Sequence, residues 1–233
     1  MSAVFKREFK AYFATPVGFI ILAIFYLFLG LYFSINYSYG SPQLSTIIIA
    51  MSTICLFTVP VITMRLMSED RRQKVDQALL TAPVKLSGIV LGKYFAAMAL
   101  FALCFVPTII FQIIIATYVP VNIFTYLYSL LGILLFGSAL IAIGMFISSL
   151  TESSVIAAIL TYVVNLTVMY LGSLSSMMKN ETLAAIAKKV AFVSAVESFG
   201  TEILSIPDVV YFLSITVAFI FLSVRSLEKR RWS

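Results

Sequence analysis

Long apolar stretches separated by short polar ones dominate the pattern of this chain of 233 residues. Six runs almost without charge cover 17–35, 46–64, 94–119, 124–150, 155–174 and 209–224. A helix needs about 17–25 apolar residues to cross roughly 30 Å of hydrocarbon, and every run except the last reaches that length. The sixth run, with 16 residues, is the shortest. The pattern predicts an all-α integral membrane protein with six transmembrane helices.

Two of the predicted spans are longer than the hydrocarbon requires. The third and fourth runs contain 26 and 27 residues, or about 40 Å of helix at about 1.5 Å per residue. Such helices tilt, kink or project beyond the bilayer. Pro107 in the third run and Pro60 in the second are natural kink sites, because a proline has no N–H group for the helix. Such prolines are tolerated where neighbouring helices satisfy the carbonyl groups that they leave free.

The first 15 residues have the pattern of an amphipathic helix in the membrane interface. One face carries aromatic residues at helical spacing, and the other face carries cations. These are Phe5, Phe9, Tyr12 and Phe13 on the first face and Lys6, Arg7 and Lys10 on the second. The alternative is a simple helical lead into the first span. We predict an interfacial helix over 1–15.

The largest charged feature is the segment 65–93, between the second and third runs. Ser68 is a candidate N-cap, and two carboxylates follow in a first turn, where the helix dipole favours them. Pro83 ends the helical pattern, because the residue before a proline avoids the α region. These signals predict a short helix over Glu69–Leu80 within a longer loop. The alternative is a basic anchor that only orients the protein.

The segment 175–207, between the fifth and sixth runs, is too polar to span a membrane and too apolar for a free loop. Its apolar residues keep a helical spacing that Gly200 and Pro207 interrupt. Ser205 and Asp208 have the S-x-x-D spacing of a helix start. Two arrangements stay open, a dip into the outer leaflet and a lid folded over the helices, and the sixth span is predicted to begin at Ser205.

Composition and charge set the class and the orientation. Hydrophobic residues make up 61% of the chain and charged residues 11%, with a net charge of +6. The cations flank the apolar runs, which indicates anionic lipid headgroups rather than nucleic acid. Of the 16 Lys and Arg residues, 13 fall on the side of the N-terminus if all six runs cross. Cytoplasmic loops are enriched in these residues, so both termini are predicted to be cytoplasmic.

The sequence also excludes several kinds of chemistry. Histidine is absent, which removes His-based acid–base catalysis and the zinc motifs that need histidine. The phosphate-binding loop G-x-x-x-x-G-K-[ST] is absent as well. Cys55 and Cys104 lie inside apolar runs, where packing is their expected role. Neither a catalytic residue nor a metal site is predicted, and no linker or internal repeat divides residues 1–233, so they are predicted to form one domain.

Polar residues inside the predicted spans are few. The central parts of the spans lack Asp, Glu, Lys and Arg, which disfavours a carrier driven by protons or sodium. Thr58, Asn165 and Thr167 are candidates to line a substrate path. Their alternative role is to hold helices together by hydrogen bonds, which is the commoner use of such residues in membranes.

The segment 65–93 resembles the permease subunit of a type-2 ABC transporter. The resemblance rests on an acidic–basic cluster, a short helix and an LLTAPV turn, followed by an IVLGK entry to the third span. It extends to SSLTESSVIAAI at 148–159 and to the ending YFLSITVAFIFLSVRSLEKRRW at 211–232. These two stretches resemble the gliding-motility-type branch of such permeases. Many members have Gly-Thr where this chain has Lys74 and Val75.

The resemblance implies a membrane subunit that is not itself an enzyme. Two permease chains, identical or siblings, pair with each other, and two cytoplasmic ABC ATPase subunits bind beneath them and carry ATP and Mg²⁺. The helix after the second span acts as a coupling helix, seated in a groove of the ATPase. The segment 175–207 forms short external helices before the sixth span, which close the path from above. The implied coupling residues are Glu69, Asp70, Arg71, Arg72, Asp76, Gln77, Leu80 and Pro83.

The resemblance further implies ATP-driven export across the bacterial cytoplasmic membrane, with the direction taken from the family. Two other functions stay open. One is a membrane anchor that transmits force or a signal from an ATPase without moving a solute, which fits the gliding-type resemblance. The other is an ATP-independent channel or carrier.

Overall fold

The computed structural model describes residues 1–40, 43–73, 85–118, 122–175, 182, 191–199 and 205–231. Within these residues the regular structure consists of helices, with no strand. The helices are α1 (Ser2–Ala14), α2 (Pro16–Ser38), α3 (Leu44–Thr63), α4 (Ser68–Arg72), α5 (Leu86–Cys104), α6 (Pro107–Ala116), α7 (Ile123–Leu150), α8 (Ser154–Ser175), α9 (Phe192–Ser198) and α10 (Ile206–Arg231).

Six helical stretches in the described residues are long and apolar enough to cross a membrane, which confirms the predicted all-α membrane fold. They are Pro16–Ser38, Leu44–Arg72, Leu86–Ala116, Ile123–Leu150, Ser154–Ser173 and Ile206–Lys229. The third begins at Leu86 rather than at 94, and the sixth continues well past 224. Helices extend into polar residues beyond the hydrocarbon, so an apolar run marks the embedded part of a helix and not its ends.

α7 is the central helix and packs against α3, α5, α8 and α10. Nearly all of its residues from Phe136 to Ser149 are buried. Glycines let its neighbours approach closely: a Cβ at Gly137 would overlap the ring of Phe101 on α5, and one at Gly144 would overlap the hydroxyl of Thr63 on α3. Small residues at helix contacts are typical of membrane bundles for this reason.

The third span breaks at its proline, as predicted, and continues as α6 from Pro107. Because Pro107 has no N–H group, the carbonyl oxygen of Leu103 loses its normal helical partner. The hydroxyl of Tyr26 on α2 donates a hydrogen bond to this oxygen at 2.9 Å, and the N–H group of Val106 approaches it at 3.2 Å. Pro60, by contrast, lies inside α3 without ending it.

α1 matches the predicted segment 1–15 and lies across the start of α5. A Cβ at Gly92 would stand 3.0 Å from the Cβ of Val4 and 3.1 Å from the carbonyl oxygen of Met1. On α3, the carbonyl oxygen of Ile62 accepts a hydrogen bond from the hydroxyl of Tyr12 at 2.8 Å. α1 is therefore docked on the bundle and is more than a lead into α2.

Both described ends of the chain lie at the same end of the bundle as α4. Arg7 of α1 stands 3.3 Å from Asp70 of α4, and Arg225 and Lys229 of α10 line a groove together with Arg71. This arrangement agrees with an even number of spans. We refer below to this end of the bundle as the α4 end.

One predicted external helix lies in the described residues, namely α9, which packs against α7 and α8. The ring of Phe192 lies 6.0 Å from that of Phe136 and 5.2 Å from that of Phe212, between centroids. The hydroxyl of Ser129 donates a hydrogen bond to the carbonyl oxygen of Phe199 at 3.1 Å. α9 thus covers the end of α7 opposite the α4 end. Most of 176–204 outside α9 is beyond the described residues.

Candidate functional site

Four charged side chains from three helices meet at the α4 end and are termed the ion cluster: Arg7 and Glu8 of α1, Asp70 of α4 and Lys93 of α5. The Nζ of Lys93 lies 2.9 Å from Oε1 of Glu8 and 2.7 Å from Oδ2 of Asp70. Arg7 pairs with the same two carboxylates, at 3.3 Å from Oδ2 of Asp70. The ion cluster therefore ties α1, α4 and α5 together.

Burial makes Lys93 the critical member of the ion cluster. This residue is 1% exposed, whereas the side chain of Arg7 is 43% exposed. A buried ammonium group is costly unless it is paired and hydrogen-bonded, and the carboxylates of Glu8 and Asp70 meet both needs. Burial alone would lower the pKa of Arg7, but these carboxylates raise its pKa above the ordinary value, so Arg7 stays charged.

Neither Lys93 nor Glu8 stands out from the charge pattern, in which Lys93 is one of many cations that orient the protein. Two signals could have indicated the ion cluster. Glu8 is the one acidic residue among the first 15. Gly88 and Gly92 are one turn apart and lie next to Lys93, which predicts a helix surface notched for close contact.

A serine of α7 accepts hydrogen bonds from backbone N–H groups at the start of α4. The Ser148 hydroxyl accepts hydrogen bonds from the N–H groups of Met67 and Ser68, at 3.2 and 3.1 Å, and lies 3.1 Å from the carbonyl oxygen of Met64. The predicted N-cap role of Ser68 is therefore wrong, because Met67 occupies that position and the cap comes from another helix. The hydroxyl of Ser68 instead bonds back to Met64 and lies 3.2 Å from the hydroxyl of Ser154 on α8.

Arg71 joins α4 to the turn between α7 and α8. Its Nη1 donates a hydrogen bond to the carbonyl oxygen of Leu150 at 2.9 Å, and its Nε lies 2.9 Å from Oε1 of Glu152. Leu150 ends α7, where the last carbonyl groups lack helical partners and attract cations. A single guanidinium group thus holds the end of α7 and the middle of this turn.

Glu69 and Arg72, the other charges of α4, pair with each other, and Oε2 of Glu69 also accepts a hydrogen bond from the hydroxyl of Ser154 on α8 at 3.5 Å. Oε1 of Glu69 accepts hydrogen bonds from Arg72 at 2.8 Å and from the side-chain amide of Gln73 at 2.7 Å. The side chain of Arg72 is 64% exposed and points away from the bundle more than any other charge of α4. Arg72 is therefore accessible to a partner, whereas Asp70 and Arg71 are engaged with the spans.

Half of the coupling residues implied by the resemblance lie on α4. Glu69, Asp70, Arg71 and Arg72 are described, while Asp76, Gln77, Leu80 and Pro83 lie outside the described residues. The described part of the predicted Glu69–Leu80 helix is α4, followed by a turn at Gln73.

A groove of about 370 Å³ opens between α1 and α4. Its lining includes Arg7, Glu8, Tyr12, Arg65, Glu69 and Gln73. Burial raises the pKa of Tyr12, which keeps this side chain protonated as a donor to α3. The mixture of cations and carboxylates suits a charged protein surface rather than an ion of one sign.

The three residues predicted to line a substrate path lie on two helices and differ in burial. Thr58 is buried on α3 and donates a hydrogen bond to the carbonyl oxygen of Ile54 at 2.7 Å. Thr167 is exposed on α8 and donates to that of Val163 at 2.8 Å. Asn165 is completely buried on α8, so it faces away from Thr167.

Asn165 belongs to a small polar patch on the inner face of α8. Among the described residues, neither the oxygen nor the nitrogen of its side chain has a hydrogen-bond partner, and the buried hydroxyl of Thr161, one turn earlier, has none either. A Cβ at Gly144 would lie 2.9 Å from Cγ2 of Thr161, which places the patch against α7. Sequence reasoning missed Thr161, although its i, i+4 spacing from Asn165 could have indicated it.

The described residues contain no group of His, Cys, Asp and Glu that could hold a metal ion. A family model described as ABC-2 family transporter protein matches residues 32–225. The chain belongs to the ABC-2 transporter family. It is a multi-pass membrane permease, and its family implies association with an ATPase subunit. No curated protein matches this ABC-2 permease.

Proposed function

We propose that this ABC-2 permease is the membrane subunit of an ATP-driven exporter in the bacterial cytoplasmic membrane. In this proposal two permease chains, identical or siblings, form the translocation path, and two ATPase subunits that carry ATP and Mg²⁺ bind at the α4 end. Both termini then lie in the cytoplasm, in agreement with the excess of Lys and Arg on that side. Membership of the gliding-motility-type branch stays a prediction from the sequence.

The observation that carries the proposal is the attachment of α4 to the spans. α4 follows α3 after a turn of four residues. It is held to α5 through Asp70 and Lys93, and to α7 and the turn before α8 through Ser148 and Arg71. An isolated surface anchor would need none of these buried contacts.

These attachments make α4 able to transmit force. Short charge-assisted hydrogen bonds are the strong ones, so a push on α4 is carried to α5 and α8 rather than absorbed by the loop. Arg72 and the groove between α1 and α4 offer the outward charges against which an ATPase surface would press. Closure of the ATPase around ATP would then shift the spans as rigid elements.

The polar patch of Thr161 and Asn165 indicates where that shift would act. A buried amide without partners costs about 1–3 kcal/mol. Such a cost is tolerated where another state of the protein, or a substrate, supplies the missing hydrogen bonds. We therefore place Asn165 on the translocation path, with Thr58 on the neighbouring α3, and leave Thr167 on the outer surface.

The test uses the permease together with the ABC ATPase that co-purifies with it. Either Glu69→Ala or Arg72→Ala breaks the ion pair between these two residues, and Arg72→Ala also removes the most exposed charge of α4. We expect both variants to retain the spans and the bound ATPase, to hydrolyse ATP, and to lose ATP-driven transport. Lys6→Ala is the matched control, since Lys6 is an exposed cation at the same end outside the ion cluster.

Other outcomes separate the alternatives. Normal transport and normal ATPase binding in both variants would refute the role of α4. Failure of any ATPase to co-purify with the wild-type permease would favour an ATP-independent channel or carrier. An ATPase that binds and responds to α4 but is stimulated by no solute would favour a membrane anchor that transmits force.

A further inference from the structure

A second groove at the α4 end has a different character from the groove beside α1. It has a volume of about 470 Å³ and lies between the end of α7 and the end of α10. Its apolar lining consists of Phe146, Leu150 and Leu222, and its polar lining of Arg71, Ser149, Arg225, Ser226 and Lys229. Among the described residues, the lining carries three cations and no carboxylate.

Two of these cations, Arg225 and Lys229, belong to a stripe that runs along the exposed face of α10. Val210, Leu213, Val217 and Phe221 are all exposed and follow one another at helical spacing. Arg225 and Lys229 continue the same stripe by two further steps of four residues. The guanidinium carbon of Arg225 stands 5.2 Å from the centre of the Phe221 ring, so the apolar and cationic parts are continuous.

The length of this stripe matches one leaflet of a bilayer. From Val210 to Phe221 the helix rises about 17 Å at about 1.5 Å per residue. Half of a hydrocarbon core of roughly 30 Å is about 15 Å. A phospholipid acyl chain therefore fits along the apolar part while its headgroup reaches the cationic part.

Two of the three cations in the groove already pair with a carboxylate. Arg71 pairs with Glu152, and Arg225 pairs with Glu228 at 2.7 Å. Each guanidinium group has five N–H donors, so both retain donors for a phosphate group. Lys229 has no carboxylate partner among the described residues. The hydroxyl of Ser226 lies 3.1 Å from that of Ser149, whose own proton points to the carbonyl oxygen of Phe146 at 2.7 Å.

We propose that this groove binds one anionic phospholipid, with the phosphate group held by Arg225, Lys229 and Arg71 and an acyl chain against Leu222 and the stripe of α10. The cations select for negative charge and the apolar wall selects for a lipid. The chemistry disfavours an acidic protein surface as the occupant, because such a surface would leave Phe146, Leu150 and Leu222 unmatched. This site does not depend on the proposed transport function.

The test compares lipid binding by the purified full-length permease in detergent, measured by native mass spectrometry with phosphatidylglycerol and with phosphatidylcholine. We expect preferential retention of phosphatidylglycerol. The double variant Arg225→Gln/Lys229→Gln should lower the affinity for phosphatidylglycerol by about tenfold, because each cation near an anionic lipid contributes several-fold to affinity. The control Lys6→Gln/Lys10→Gln removes two exposed cations from α1 at the same end, and it should change the affinity less than twofold.

Three results would overturn the proposal. The first is an equal loss in both double variants, which would reflect net charge alone. The second is complete displacement of phosphatidylglycerol by inorganic phosphate, which would leave no role for the apolar wall. The third is loss of ATPase binding in Arg225→Gln/Lys229→Gln with unchanged lipid retention, which would make the groove a protein docking site.

Discussion

Replacement of Lys93 by methionine tests the ion cluster most severely. Methionine keeps the length and the apolar stem of the side chain but removes the ammonium group between Glu8 and Asp70. The two carboxylates then face each other with Arg7 as their remaining partner. Removal of one member of a buried ion pair costs about 3–5 kcal/mol. The side chains of Glu8 and Asp70 are 14% and 19% exposed, which favours the lower value.

A cost of about 3 kcal/mol corresponds to about two orders of magnitude in an equilibrium constant. Because the ion cluster is the charged link between α1 and α5, the loss should appear as local detachment of α1. Hydrogen–deuterium exchange of the amides of α1 should therefore accelerate by about a hundredfold in Lys93→Met, since local opening governs exchange. Exchange in the buried part of α7 should stay unchanged.

Two further variants make this prediction specific. Lys85→Met also removes one cation, but from an exposed position at the start of α5, and it should leave α1 protected. The triple variant Lys93→Met/Glu8→Gln/Asp70→Asn removes every buried charge of the ion cluster. It should recover most of the protection, since replacement of a whole buried ion pair is often neutral. Equal exchange in Lys93→Met and Lys85→Met would refute the reasoning.

Two other predictions concern the interior of the bundle. Gly144→Ala should lower the melting temperature of the purified permease, because the new methyl group overlaps the hydroxyl of Thr63 and overpacking costs about 1–3 kcal/mol. Gly30→Ala, with nothing within 4 Å of the new Cβ, should leave it unchanged or raise it slightly; equal destabilisation by both would contradict the close packing of α7. Asn165→Leu should raise the melting temperature by removing an unpartnered amide, and it should abolish ATP-driven transport. Thr167→Val, on the exposed face of the same helix, should alter neither, and retained transport in Asn165→Leu would remove this residue from the path.

The sequence predicted the number of spans well because the physics is simple. A bilayer demands a minimum apolar length, and each of the six runs corresponds to one helical stretch. The break at Pro107 was predictable for an equally local reason, since proline lacks the N–H group. Helix ends were harder to predict from the sequence. α10 continues to Arg231 through charged residues, because lipid no longer constrains a helix beyond the hydrocarbon.

The candidate site was only half predictable. The charged character of Glu69–Arg72 was evident from the sequence, but its partners were not. Lys93 and Glu8 are 85 positions apart, and no local pattern fixes how α1 docks on α5. The cap of α4 likewise comes from Ser148 on α7, which a search for a neighbouring cap residue does not reach. Tertiary contacts decide both features.

The central claim is that α4 couples an ATPase to the spans, and Arg71 ties α4 to the turn that leads into α8. The most direct measurement is hydrogen–deuterium exchange of α8 in the complex of the permease with its ATPase, with and without ATP and Mg²⁺. We predict that ATP changes exchange along α8 in the wild type and in the control Lys10→Ala. In Arg71→Ala the ATPase should remain bound while most of this change disappears. An undiminished response of α8 to ATP in Arg71→Ala would contradict the account.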